Sequence, residues 1–269
     1  MNREQRASSA RYLRGTWVPL SSSLGFLVRH VKLLALGLLL VLLTGLLTWI
    51  GYLGAIDLIN GLTGHFFQQP PAGEGLWGWL QTWGWLALKF VFVLVTRVVA
   101  FYLAFLLAYC LTTPGYVLLS NATEKIYLGG AFPAQGGFSV AGVITDLVEG
   151  IKIGIVGILV TVVALFANFI PVIGQGVVFL IYTFYSALMF VDYPASSLRW
   201  SLGRKIRWVV RHRNRSFRLG FLPALVSMIP LVNIFFMALL FPLFTVHTTL
   251  NFMSVEAGET GEPAETPDQ

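Results

Sequence analysis

Between Leu33 and Ile56 the chain runs for 24 residues without a single charge. That exceeds the roughly 20 residues an α-helix needs to cross a bilayer. Lipid offers no water to the backbone N–H and C=O groups, so such a stretch must close its hydrogen bonds within itself, as a helix. The remainder has the same character. Of 269 residues, 56% are hydrophobic and only 11% charged, where soluble domains carry about 25% charged residues. The reading is an all-α integral membrane protein with one membrane domain and no separate soluble catalytic domain. The first apolar run lacks a small-residue cleavage site and reads as an uncleaved first helix. The single cysteine, Cys110, excludes a disulfide framework.

Charge placement predicts orientation. Arg3, Arg6, Arg11, Arg14, Arg29 and Lys32 precede the first span, whereas Gly51 to Leu88 holds no Lys or Arg. Basic residues stay on the cytoplasmic side, so the N-terminus is expected in the cytoplasm and the loop with Gln68–Pro71 outside. Trp77, Trp79, Trp83 and Trp85 form an aromatic cluster of the kind found at headgroup depth. A second span is expected from Trp85 to Thr113, ending before Pro114-Gly115. Arg97 lies twelve residues past Trp85, about 18 Å along a helix, and therefore near mid-membrane.

Two later segments break in the same way. Phe169-Ile-Pro-Val-Ile-Gly174 and Met228-Ile-Pro-Leu-Val-Asn233 are uncharged proline bends between apolar arms. A loop in water is normally polar, so these bends are expected at membrane depth, enclosed by protein. The arm Val177–Val191 would be ~22 Å long, and the arm from Leu219 to Pro230 only ~16 Å. Both fall short of a ~30 Å hydrocarbon core. Two hemi-penetrating (re-entrant) hairpins, added to two long transmembrane helices, are the expected architecture, and paired interrupted segments point to a transport site. Arg199 to Arg218 between them holds eight of the eighteen basic residues, with Arg204, Arg207, Arg211, Arg215 and Arg218 at helical spacing. The expected division is a polar N-terminal segment 1–19, a membrane domain 20–252 and an acidic, disordered tail 253–269.

The bend Phe169-Ile-Pro-Val-Ile-Gly-Gln175, the closing Asp192-Tyr-Pro194, the connector from Arg213 to Phe217 and Gly220, and Met228-Ile-Pro-Leu-Val-Asn233 resemble the CysZ sulfate-permease family, whose eukaryotic relatives are the etoposide-induced membrane proteins. Pro114-Gly-Tyr116, Glu124 and Leu128-Gly129 are similar to the stretch after that family's second helix. The resemblance implies the two-helix, two-hairpin fold, a homo-oligomer, and sulfate uptake across the bacterial inner membrane for sulfur assimilation and cysteine synthesis. Members of the permease branch resemble one another in a Pro-Gly followed by paired arginines before the first helix, which implies an anion site. Here that region reads Gly25-Phe-Leu-Val-Arg29-His30-Val-Lys32, with neither feature.

Candidate functional residues follow from charge and position. Arg29 and Lys32, just before the first helix, are candidate anion ligands or ordinary positive-inside charge. Arg97 is a third candidate, because an ionisable group at mid-bilayer is a functional hypothesis by default; bonding to carbonyls at a bend is the plainer account. Asn168, Gln175 and Asn233 either line a path or satisfy backbone freed by the prolines. Asp192, the only acidic residue between Glu149 and Glu256, is expected to fix a hairpin base by pairing with an arginine such as Arg213. The stripe Arg204, Arg207, Arg211, Arg215 and Arg218 is expected to face anionic lipid headgroups.

No enzyme signature accompanies them. The Gly129–Gly137 segment lacks the Gly-Lys-Ser/Thr of a phosphate loop, and the four histidines show no metal-ligand spacing. No cofactor, metal or nucleic-acid partner is expected. The first functional reading is an inner-membrane anion permease with sulfate as substrate and both termini cytoplasmic. The alternative is a non-transporting membrane adaptor that uses the stripe as a lipid or partner surface.

Overall fold

A computed structural model describes residues 15–64, 75–128, 140–171, 173–229 and 232–259. Among them the only regular structure is helical: α1 (Leu20–Arg29), α2 (Val31–Thr63), α3 (Gly75–Tyr127), α4 (Val140–Ala167), α5 (Ile173–Ser197), α6 (Leu202–Arg211), α7 (Arg213–Ser227) and α8 (Val232–Glu259). Five segments are long and apolar enough to cross a membrane: α2, α3, Leu147–Ala167, α5 and Phe236–Glu259. The chain is an all-α, multi-pass membrane protein. It divides into two compact units, Leu42–Thr112 and the remainder.

The Leu42–Thr112 unit pairs the second part of α2 with the first part of α3. A Cβ on Gly51 would sit 3.2 Å from Ala104 Cβ, so small residues set the closest approach. Tyr52 meets Phe101 edge-on at 5.9 Å. Outward, Leu42, Leu46, Trp49, Leu94 and Leu103 are exposed, as a lipid-facing surface should be. Lys89 lies over the Trp85 ring at 4.9 Å, a snorkelling arrangement.

In the second unit α5 is the central element, packed on α4, α7 and α8. Tyr116, Phe190 and Phe241 stack at 4.5 and 4.8 Å, and Trp200, Trp208 and Phe252 form a second aromatic cluster at 5.0–5.2 Å. At Gly220 of α7 a Cβ would collide with the Thr183 carbonyl of α5. Glycine is what allows these two backbones to touch.

Three expectations need correction. The second helix does not end before Pro114 but runs through it to Tyr127. Tyr116, Leu119, Ser120 and Thr123 beyond the proline are fully buried, and that packing outweighs the lost backbone bond. Secondly, α5 has 25 residues, ~38 Å at helical rise, so its length alone no longer argues for a half-span. Thirdly, the tail remains helical to Glu259. Its acids have partners there: Glu256 accepts a hydrogen bond from Trp208 Nε1 at 2.9 Å, and Glu259 pairs with Arg211 and His212 at 3.4 and 3.2 Å. The second proline bend, at Pro230 and Leu231, and the Gly129–Gly137 segment lie outside the described residues.

Candidate anion-binding site

The segment before the first long helix is held by a polar strip on α8. Ser23 and Leu27, one helical turn apart, form the buried face of α1. Ser23 Oγ lies 2.8 Å from His247 Nδ1. Asn251 closes a two-bond clamp on Val18, accepting from its N–H at 2.9 Å and donating to its carbonyl at 3.0 Å. Ser254 donates to the Thr16 carbonyl at 2.7 Å, and Trp17 packs edge-on against His247 at 5.4 Å. Buried polar groups on α8 are thus satisfied by the N-terminal segment, which gives that segment one fixed register.

Anchoring one face of α1 presents the other. Ser21, Ser22, Gly25, Phe26, Arg29 and His30 line an open cleft of about 410 Å³. α1 ends because His30 leaves helical geometry (φ −101°, ψ 83°). Its Nδ1 donates to the Phe26 carbonyl at 2.7 Å, and α2 starts at the next residue. Helix α2 therefore begins beside Arg29, with Lys32 in its first turn and no acidic residue there. A cation at a helix N-terminus opposes the macrodipole, which favours negative charge at that end. Among the described residues neither Arg29 nor Lys32 forms an ion pair. Arg29 lines this cleft with the serines, and Lys32 stands one turn of chain beyond it at a helix start, an end that favours negative charge.

The other expected residues are placed as follows. Arg97 is exposed on α3 between the equally exposed Leu94, Val95, Val98 and Val99, and it forms no ion pair among the described residues. Asn168 and Gln175 satisfy one another across the first bend, Gln175 Nε2 donating to Asn168 Oδ1 at 2.8 Å. Asn233 lies in the first turn of α8, and its side chain is outside what the structure describes.

Asp192 meets Lys205, not Arg213. Lys205 Nζ, with no solvent exposure, lies 2.6 Å from Asp192 Oδ1, 3.4 Å from Glu149 Oε2 and 3.2 Å from Ser196 Oγ. The reason is geometric. Lys205, Trp208 and Val209 occupy the buried face of α6, whereas Arg213 starts α7 and is exposed. Lys205 was open to discovery from the sequence: on a helical wheel it shares the apolar face with Trp208 and Val209, away from the arginines.

The five-arginine stripe is interrupted. α6 and α7 are separate helices meeting at His212, so Arg204, Arg207 and Arg211 belong to one and Arg215 and Arg218 to the next. Arg215 donates to the Gly15 carbonyl, and Arg218 stands over Trp17 at 5.6 Å; both contact the N-terminal segment. Arg204 stacks on Trp200 at 4.0 Å. Among the described residues no group of three His, Cys, Asp or Glu side chains could hold a metal ion.

Comparison with known proteins agrees with this architecture. A search of curated proteins finds no match. Residues 20–238, well over half the chain, match the family described as "Sulfate transporter CysZ/Etoposide-induced protein 2.4". The match starts at the first residue of α1, takes in Arg29, Lys32, Arg97 and the Asp192–Lys205 pair, and stops before the polar strip on α8. This multi-pass helical chain belongs to the CysZ/etoposide-induced protein 2.4 family.

Proposed function

We propose that this protein is an anion permease of the bacterial inner membrane that takes up sulfate. The observation that carries the reading is the α1–α2 junction, where Arg29 and Lys32 meet the start of a long apolar helix and, among the described residues, neither is paired with a carboxylate. Sulfate is a small dianion whose oxygens accept hydrogen bonds. Two cations, the Ser21 and Ser22 hydroxyls and the helix-start amides would replace part of its hydration shell. The family's missing Pro-Gly and paired arginines are answered here by Arg29 and Lys32, spaced three residues apart across the His30 break.

Arg97 takes the second position on the route. An exposed cation between lipid-facing side chains is costly in hydrocarbon, and this supports a second copy of the chain against that face of α3. The re-entrant hairpins belong to the same reading. α7 has 15 residues, ~22 Å and short of a ~30 Å core, and the bend residues Phe169, Ile170 and Ile173 are apolar and exposed. The basic N-terminus and connector support a cytoplasmic position for both termini. The adaptor alternative would use the arginine stripe as a partner surface. Four of its five arginines have contacts within the chain, which favours the permease.

The test is radiolabelled sulfate uptake into liposomes holding the purified protein. Flux above empty liposomes, reduced at least about tenfold in Arg29→Gln/Lys32→Gln by loss of two charge-assisted contacts, is the expected result. No flux above empty liposomes would end the permease reading. Unchanged flux in the double variant would end only the site assignment.

A further inference from the structure

The outer face of α6 carries a feature that anion transport does not use. Its ten residues divide cleanly. Lys205, Trp208 and Val209 are buried, while Arg204, Arg207 and Arg211 lie side by side on the open face, and Ile206 and Val210 lie beside them, exposed and apolar. A short helix adjoining the end of a membrane span, with basic and apolar strips side by side, matches the boundary between headgroups and acyl chains. Beside it runs an open cleft of about 610 Å³ whose walls include Trp200, Arg204, Ile206, Arg207 and Val210.

The cleft has one acidic side, and that side is occupied. Glu256 accepts from Trp208 Nε1 and Glu259 is held by Arg211 and His212. Arg204 Cζ lies over the Trp200 ring at 4.0 Å, a contact with a π face that uses none of the guanidinium's N–H donors on a carboxylate. Arg207 forms no ion pair or ring contact among the described residues. A stacked arginine and an unpaired one, next to exposed isoleucine and valine, fit a phosphate diester attached to an acyl chain.

We infer that the outer face of α6 is a binding site for one anionic phospholipid, its headgroup phosphate between Arg204 and Arg207 and an acyl chain along Ile206 and Val210. This narrows the stripe to two headgroup ligands, since Arg211 pairs with Glu259 and Arg215 and Arg218 contact the N-terminal segment. It stands whether or not the chain carries sulfate.

The experiment is native mass spectrometry of the purified full-length protein in neutral detergent, titrated with phosphatidylglycerol or with phosphatidylcholine. Wild type is expected to keep phosphatidylglycerol in preference. Arg204→Gln/Arg207→Gln should weaken that binding about 25-fold, about fivefold per arginine. Arg213→Gln, a charge control on an exposed residue outside the face, should stay within about twofold. Ile206→Ser/Val210→Ser should also weaken phosphatidylglycerol while leaving inorganic phosphate without effect as a competitor. Equal retention of the two lipids, an equal loss in Arg213→Gln, or full displacement by inorganic phosphate would overturn the inference.

Discussion

Two basic clusters of the same unit differ in the partners the fold gives them. In the connector, several cations are matched within the chain: Lys205 by Asp192 and Glu149, Arg211 by Glu259, Arg215 by the Gly15 carbonyl, Arg218 by Trp17, while Arg204 and Arg207 form no ion pair among the described residues. At the α1–α2 junction neither Arg29 nor Lys32 forms an ion pair among the described residues, and the helix start adds positive potential of its own. Matched charge holds a fold together, and a buried pair contributes mainly through the penalty for breaking it. Unmatched charge at a cleft is available to a ligand. Counting arginines would favour the connector, which holds eight basic residues; counting acidic partners is what leads us to propose the junction.

The largest effect should come from disturbing the matched cluster. Lys205→Met leaves the Asp192 carboxylate buried without its cation and is expected to cost about 3–5 kcal/mol, read as a lower melting temperature in detergent. Lys205→Met/Asp192→Leu should recover most of it, because replacing both ions by apolar groups is often near neutral. A double variant as unstable as the single one would mean that Lys205 matters by packing alone. Next in size is Asn251→Leu, which breaks both bonds to Val18 and is expected to cost about 1–3 kcal/mol. It should also weaken sulfate binding, because the clamp holds α1 in place; intact binding in a destabilised variant would uncouple the clamp from the site. Gln175→Ala loses one exposed side-chain bond across the first bend and should change stability by less than about 1 kcal/mol, with sulfate flux unaltered. A large loss of flux there would place the bend in the permeation path.

Much of the architecture was legible in the residues themselves. Apolar runs without charge dictate membrane helices, and the break between α4 and α5 falls at the expected Pro171 bend. The ends of elements were not legible. Pro114 is a helix breaker by local chemistry, yet burial of Tyr116 and Leu119 carries α3 through it. The acidic tail reads as solvated because its partners, Trp208, Arg211 and His212, lie more than forty residues away. Arg29 and Lys32 could be named from the sequence because charge before a first span is visible. Their lack of partners was not, since pairing depends on which carboxylates the fold brings near. Asp192 shows the same limit: that it needed a cation was evident, but only the geometry of α6 selects Lys205 over the exposed Arg213. The Ser23–His247 contact and the Asn251 clamp span more than 220 residues and left no local trace.

The measurement that bears most directly on matched against unmatched charge is equilibrium binding of radiolabelled sulfate to the purified protein. It should compare Arg29→Gln/Lys32→Gln with Arg211→Gln/Arg215→Gln, two variants that lose the same net charge, the second from arginines that have partners within the chain. The first should raise the dissociation constant at least about tenfold, and the second should leave it within about twofold. Equal weakening by both would show that sulfate responds to the overall positive field and has no site at the α1–α2 junction.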